Sequence, residues 1–348
     1  MEDHPAAAEH RALVEHRIKH AVRVHEPLLL VSQLQRSGGT LLSQLLDSHP
    51  EVHAHPQELH TGHPKQRFWP DLPLGGDARH WFEILREAPA EKHFREGYRK
   101  YSKNEQGAEH KRTLPFILPP VLQQAIFERC IGERPVTGSR DIFDAYMTSY
   151  FNAWLDNHNL YTGPKRWITA FAPRIVLEHR SVEGFFETYP DGMLVSIVRD
   201  PRSWYGSARR HAELGTPSKK RAYGAVESGV ALWCQTAEAM LAAKAARPDR
   251  VYLISFEDLL GDTERTMRSL ALAAGIEFRP SLLEPTFNGM PIVSNTGFEV
   301  TGEGVRTEPL VRYRETLTTE QQAFIEDQTA ELHEQLRTQI GGVPVGRG

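Results

Sequence analysis

Cysteine is scarce: Cys130 and Cys234 are the only two among 348 residues. So thin a supply excludes a disulfide scaffold and a cysteine-built metal site. It fits a reducing compartment, with both thiols expected to be buried, unpaired and inert. No apolar run reaches the length of a membrane span, and the first 25 residues are charged and histidine-rich, unlike a secretory leader. The cytoplasm is therefore the expected location. An excess of positive charge is also missing. Lys and Arg number 41 against 45 Asp and Glu, a net −4, which speaks against nucleic acid or an anionic membrane surface as partner. There is no internal repeat, low-complexity tract or clear linker, so one domain over 1–348 is expected. A hydrophobic content of 40% and a charged content of 25% are those of a globular chain able to bury a large core.

What is present is organised around residues 28–42, Leu-Leu-Leu-Val-Ser-Gln-Leu-Gln-Arg-Ser-Gly-Gly-Thr-Leu-Leu. An apolar run of buried-strand length enters a turn holding Arg36, Ser37, Gly38, Gly39 and Thr40. Leu41, Leu42, Leu45 and Leu46 then share one face of a helix that stops at His49-Pro50. A strand, a glycine-containing turn and a helix make an anion cradle. The first N–H groups of a helix lack partners, its dipole favours negative charge there, and glycine admits close approach. Arg36 adds a fixed charge with a bidentate fork.

Elsewhere the hydrophobic spacing predicts a leader helix over 6–24, helices over 121–130 and 141–157, and one capped by Ser181 that runs to Tyr189. Further helices are expected from Ser203, over 225–246, from Thr263 to Gly275, and after the capping box Thr318-Thr319-Glu320-Gln321. Strands are expected at 167–171, 193–198 and 251–255. Residues 51–120, rich in Pro, Gly, His and aromatics, read as irregular loops and short helices rather than sheet. Residues 287–304 read as loop. Alternating helices and continuously apolar strands predict an α/β fold with a central parallel sheet covered on both faces. Ligands of such sheets bind beyond the carboxyl ends of the strands, which points to the turns after Ser32, Val198 and Ser255.

The first turn has no Walker lysine, and no acidic residue stands out to hold magnesium against a triphosphate. Asp200 reads as a cap for the helix after it. Arg199, at the tip of the second strand, and Ser207, two helical turns on, suit a second phosphate away from the first. His53, His55, His60 and His63 lie at spacings open to metal binding, but nothing completes a site, so no metal is expected.

Gln35-Arg36-Ser37-Gly38-Gly39-Thr40-Leu41-Leu42, followed by Leu45-Leu46-Asp47-Ser48-His49-Pro50, resembles the 5′-phosphosulfate loop of sulfotransferases that use 3′-phosphoadenosine 5′-phosphosulfate (PAPS). Gly39 stands where that family usually has the first of two Thr, whose hydroxyl it places beside the sulfate. Val198-Arg199-Asp200-Pro201-Arg202-Ser203-Trp204 with Ser207 resembles the family's 3′-phosphate stretch, and Tyr252 to Leu259 a third recurring one. The resemblance implies a P-loop-like sulfotransferase architecture and in-line sulfuryl transfer from PAPS to an acceptor hydroxyl or amine, without a metal. It assigns Arg36 and the N–H groups of Ser37, Gly38, Gly39, Thr40 and Leu41 to the phosphosulfate, and Arg199 and Ser207 to the 3′-phosphate. Glu58 falls near the family's general base, with His55 and His53 as rivals.

Residues 60–135 match nothing in the family and form the expected acceptor-binding lid. Their aromatic and basic side chains suit a sugar, an anionic carbohydrate, a phenol or a lipid head group, with carbohydrate favoured. Two alternatives stay open: a small-molecule kinase with a degenerate loop, and a non-catalytic nucleotide-binding protein. The sequence leaves the oligomeric state unassigned.

Overall fold

A computed structural model describes residues 5–60, 68–99, 113–213, 223–292 and 304–341. Nine strands, among the described residues, are β1 (Leu28–Val31), β2 (Val52–Glu58), β3 (Tyr98–Arg99), β4 (Thr113–Leu114), β5 (Trp167–Phe171), β6 (Met193–Val198), β7 (Val251–Ser255), β8 (Thr286–Phe287) and β9 (Met290–Pro291). The helices that matter most are α1 (Pro5–Lys19), α2 (Gly39–Leu46), α3 (Ala78–Leu85), α4 (Ala88–Glu96), α5 (Pro120–Glu133), α6 (Ser139–Ala153), α7 (His179–Thr188) and α8 (Pro201–Glu213). After them come α9 (Val226–Ala246), α10 (Phe256–Gly261), α11 (Thr263–Ala274), α12 (Tyr313–Thr316) and α13 (Thr319–Thr338).

Five strands form the central sheet in the order β2-β5-β1-β6-β7, and every pairing within it is parallel. Period-two alternation divides the strand residues between two cores. Leu28, Leu30, Ile168, Ala170, Leu194 and Leu253 pack on one face with α6, α7, α9 and α13 residues. Leu29, Val31, Phe171, Val195, Ile197 and Ile254 pack on the other with α2, α10 and α11 residues. A sheet covered on both faces needs continuously apolar strands, which is what these sequences are. β1 lies centrally, so the turn leaving it opens between β5 on one side and β6 on the other.

Several expectations need correcting. The leader helix ends at Lys19, not residue 24. Beyond it the chain is held extended by side chains of α6: Asn152 bonds both Val22 N–H and Val22 C=O at 2.7 Å, and Thr148 does the same for Val24 at 2.9 and 3.1 Å. Those four bonds replace a helical ladder, so the helix has no reason to continue.

Residues 51–120 include sheet after all, since β2 is the edge strand. Its sequence, Val-His-Ala-His-Pro-Gln-Glu, lacks a β signature, and Pro56 sits where the register shifts between Ala54 and Glu58. Proline is tolerated at such an edge irregularity. β8 and β9 form a hairpin within the stretch read as loop. Its turn is Asn288-Gly289, with φ of 52° and 76°, the pair a tight hairpin favours. Residues 293–303 lie outside the described residues. Elsewhere α11 ends at a left-handed Gly275 and α13 starts at the Thr318 capping box, as expected.

Candidate active site

The turn after β1 is fastened on every side. Ser32 N–H donates to Val195 C=O at 2.9 Å, its hydroxyl accepts from Val176 N–H at 3.1 Å, and its carbonyl accepts from the Ser196 hydroxyl at 2.6 Å. Gln33 C=O accepts from Arg174 N–H at 3.0 Å, and the Trp204 indole donates to Gln35 C=O at 2.9 Å. The chain then passes through two left-handed residues, Arg36 at φ 73° and Gly38 at φ 96°. Gly38 also needs the space: a Cβ there would stand 2.7 Å from the Phe256 ring. Leu42 N–H is the first to reach a helical acceptor, Gly38 C=O, at 3.0 Å. The N–H groups of Gly39, Thr40 and Leu41 are the ones a helix start leaves for a ligand. A non-glycine residue held at positive φ stores strain of the sort found at ligand clamps.

Arg36 and Arg199 meet beside this turn. Arg199 leaves the tip of β6, donates through Nη1 to Arg36 C=O, and bonds Ser203 Oγ through Nε and Nη2 at 3.1 and 2.9 Å. Its guanidinium lies over the Phe256 ring, 4.1 Å from the centroid. Arg36 Nε reaches Ser207 Oγ at 3.5 Å. The structure thus brings Arg36, Arg199 and Ser207 together. Neither arginine has a carboxylate within ion-pair distance among the described residues. Burial pulls Arg199 down to about 9, opposed by the Glu257 carboxylate and reinforced by the Arg36 charge; burial also lowers Arg36. A buried and a half-buried guanidinium side by side, next to the start of a helix, make a candidate anion site.

Asp200 caps α8, as expected. Its Oδ1 accepts from Arg202 and Ser203 N–H at 2.9 and 3.0 Å, and its Oδ2 from Arg202 Nη2 at 2.8 Å.

On the opposite flank, Glu58 ends β2 in register with Phe171, and Phe171 packs against Gly39. Glu58 Oε2 lies 2.7 Å from His60 Nε2, with the carboxylate about one-third exposed. His55 is fully enclosed. Its Nε2 meets Glu87 Oε1 at 2.9 Å and its Nδ1 meets Gln57 C=O at 3.0 Å, so neither nitrogen is open to an acceptor. Glu87 also accepts from His60 N–H at 2.9 Å and the Tyr146 hydroxyl at 3.1 Å. Burial alone would lower His55, but the Glu87 carboxylate outweighs it and the net shift is upward; Glu87 is held below its usual range by the same pair. His53 is buried and pushed down to about 3, which leaves it neutral. Among the described residues no three candidate ligands converge on a metal position, and His63 lies outside them.

Sequence reasoning missed Ser203, Phe256, Glu87, His60 and Gln33. Ser203 was in reach, because it lies in the first turn of the helix that follows Arg199. His60 was weighed only as a metal ligand. Glu87 lies 32 residues from His55, and nothing local joins them.

A parallel α/β sheet with a lysine-free turn after its central strand, and a second arginine and a serine on the adjoining strand and helix, defines a P-loop-like architecture. The particular family is settled by sequence. The pattern described as "Sulfotransferase family" matches residues 27–280, most of the chain, and the chain belongs to that family. Among solved structures it is similar to the sulfotransferase domain from the curacin biosynthetic pathway, at 16% identity, 89% of this chain, 99% of that one and a TM-score of 0.50. It is also similar to the sulfotransferase domain of a Synechococcus olefin synthase, at 15% identity, covering 91% and 98%, with a TM-score of 0.48. A sulfotransferase from Alicyclobacillus acidocaldarius matches at 16% identity, covering 90% and 97%, with a TM-score of 0.40. Curated protein sequences give no match.

Proposed function

We propose that this sulfotransferase transfers a sulfuryl group from PAPS to an acceptor hydroxyl by in-line displacement. The observation that carries the reading is the pair Arg36, half-buried, and Arg199, buried, set together without an ion-paired carboxylate among the described residues, beside the start of a helix. That donor set fits a nucleotide phosphorylated on its ribose as well as at its 5′ end. Arg199 and Ser207 hold the 3′-phosphate, with Ser203 fixing the Arg199 fork. Arg36 and the loop N–H groups from Ser37 to Leu41 hold the phosphosulfate, and Thr40 adds a hydroxyl.

PAPS supplies an activated sulfuryl group. Attack by the acceptor oxygen forms the new S–O bond as the bond from sulfur to the 5′-phosphate oxygen breaks, and that oxygen leaves with the electron pair on adenosine 3′,5′-bisphosphate. The protein's part is electrostatic and geometric: fixed donors meet the charge that grows on the leaving oxygen. Glu58, exposed enough to be reached and oriented by His60, takes the acceptor's proton. His55 acts through Glu87, whose second oxygen holds the His60 backbone, and is a positioning residue.

We assign acceptor recognition to 60–135. Trp69, Trp81, Phe82 and Tyr98 in this segment are buried in the core, so they offer no sugar platform. A carbohydrate acceptor therefore rests on the segment's basic side chains. Incubation with labelled PAPS and a panel of sugars, sulfated glycans, phenols and lipid head groups, with products identified by mass spectrometry, tests the reading. One acceptor class should become labelled, and Arg36→Ala should remove the label without lowering the melting temperature. Labelling that survives Arg36→Ala contradicts the assignment.

A further inference from the structure

Gln33 is the second residue after β1 and is wholly buried at 0% exposure. Its backbone is engaged by Arg174, yet neither Nε2 nor Oε1 of its side chain has a hydrogen-bond partner among the described residues. A buried carboxamide with both ends unmet is rare in a folded protein and calls for an occupant or a reason. Its surroundings supply both. A Cβ on Gly39 would lie 2.0 Å from Gln33 Nε2 and 2.4 Å from Phe171 Cε2. The amide nitrogen therefore fills the volume where a side chain at position 39 begins. No other residue type fits at 39 while Gln33 stays there. Gly39 is the first residue of α2, so the amide lies against the same helix start whose N–H groups await an anion.

We propose that Gln33 Nε2 is a hydrogen-bond donor to the sulfuryl group in transit, and that Gly39 is glycine in order to admit it. The inference rests on the sulfuryl-transfer reading above. Sheet order fixes which part of the donor the amide meets. Arg199 and Phe256 follow β6 and β7 on one side of the loop. Phe171 and Glu58 end β5 and β2 on the other. A donor held by its 3′-phosphate on the first side presents its transferable end toward the base on the second. Gln33, pressed between Gly39 and Phe171, lies on that second side. In this chain the pair Gln33 and Gly39 replaces the hydroxyl that a threonine at position 39 would bring.

Gln33→Leu keeps the volume and removes the amide. The expected result is a fall in kcat of tenfold or more, affinity for adenosine 3′,5′-bisphosphate within twofold of wild type because that product lacks the sulfuryl group, and a melting temperature no lower than wild type. Wild-type turnover in Gln33→Leu overturns the proposal. So does a loss of product affinity and melting temperature equal to the loss of turnover, since a packing role would produce it. If wild type binds no adenosine 3′,5′-bisphosphate and sulfates no acceptor, the parent reading falls instead, so the two failures are distinguishable.

Discussion

Each side chain at the site has a task that its surroundings define. Glu58 stands at a strand end with one oxygen on His60 and its side chain about one-third exposed, which suits a group that must meet an incoming hydroxyl. Glu58→Gln keeps the shape and removes the basicity. General-base loss costs roughly 10²- to 10⁴-fold in rate, so kcat should fall within that span while adenosine 3′,5′-bisphosphate still binds. Steady-state kinetics beside a titration of the product measure both. Unchanged kcat would remove Glu58 from the role. Arg36, Arg199 and Ser207 were legible in the sequence because their spacing follows local geometry, a turn and two helical turns. Gln33 was not, because its meaning depends on the absence of a Cβ at Gly39 and on the position of Phe171, 138 residues away on a neighbouring strand. No window of sequence contains that triangle.

At the scale of elements, the position of the proposed base depends on how β2 is braced. β2 has a proline, two histidines and few residues with strand propensity, and it was invisible for that reason. What holds it is a buried strut: His55 from β2 against Glu87, which precedes α4, with Tyr146 of α6 closing the network. Removing one partner of a buried pair strands the other, so Glu87→Gln should cost about 3 kcal/mol of stability and weaken turnover through the His60 backbone. The pH dependence follows from the two shifts. His55 is raised above its usual 6.5, so its contribution is complete below 6.5 and fades as pH rises through the folded value. Glu87 is held below its usual 4.5, so its contribution is complete above 4.5 and fades as pH falls through its folded value. The stability gap between wild type and Glu87→Gln should therefore be widest between about pH 4.5 and 6.5 and narrow on both sides, as denaturant titrations across pH would show. A gap that does not vary with pH would mean the pair is not ionised. The strands β5, β6 and β7 were read correctly because, buried on both faces, they are apolar throughout; an edge strand secured by polar side chains carries no such mark.

Over the whole molecule, the sheet order β2-β5-β1-β6-β7 separates the chemistry into two flanks around one central loop. In the proposed reading the 3′-phosphate side lies on β6 and α8, the proton-accepting side on β2, and β1 delivers the loop between them. Parallel, doubly covered architecture and the cradle's place at the strand ends were both readable from alternating apolar segments; the strand order was not, since three of its four pairings join segments more than 100 residues apart. No described helix is long and apolar enough to cross a membrane. The proposed ligand is anionic at its 5′ end and on its ribose, and the protein sets the Arg36 and Arg199 side chains together beside the central loop to meet it. The most direct test is thermal unfolding with adenosine 3′,5′-bisphosphate beside ATP with magnesium, on wild type and on Arg199→Ala. At a hundredfold excess over its dissociation constant the bisphosphate should add about 2.7 kcal/mol, roughly 4 °C for a chain of this length, with no comparable shift from ATP and none from the bisphosphate in Arg199→Ala. A shift with ATP and magnesium but not with the bisphosphate, or one undiminished in Arg199→Ala, would contradict the account.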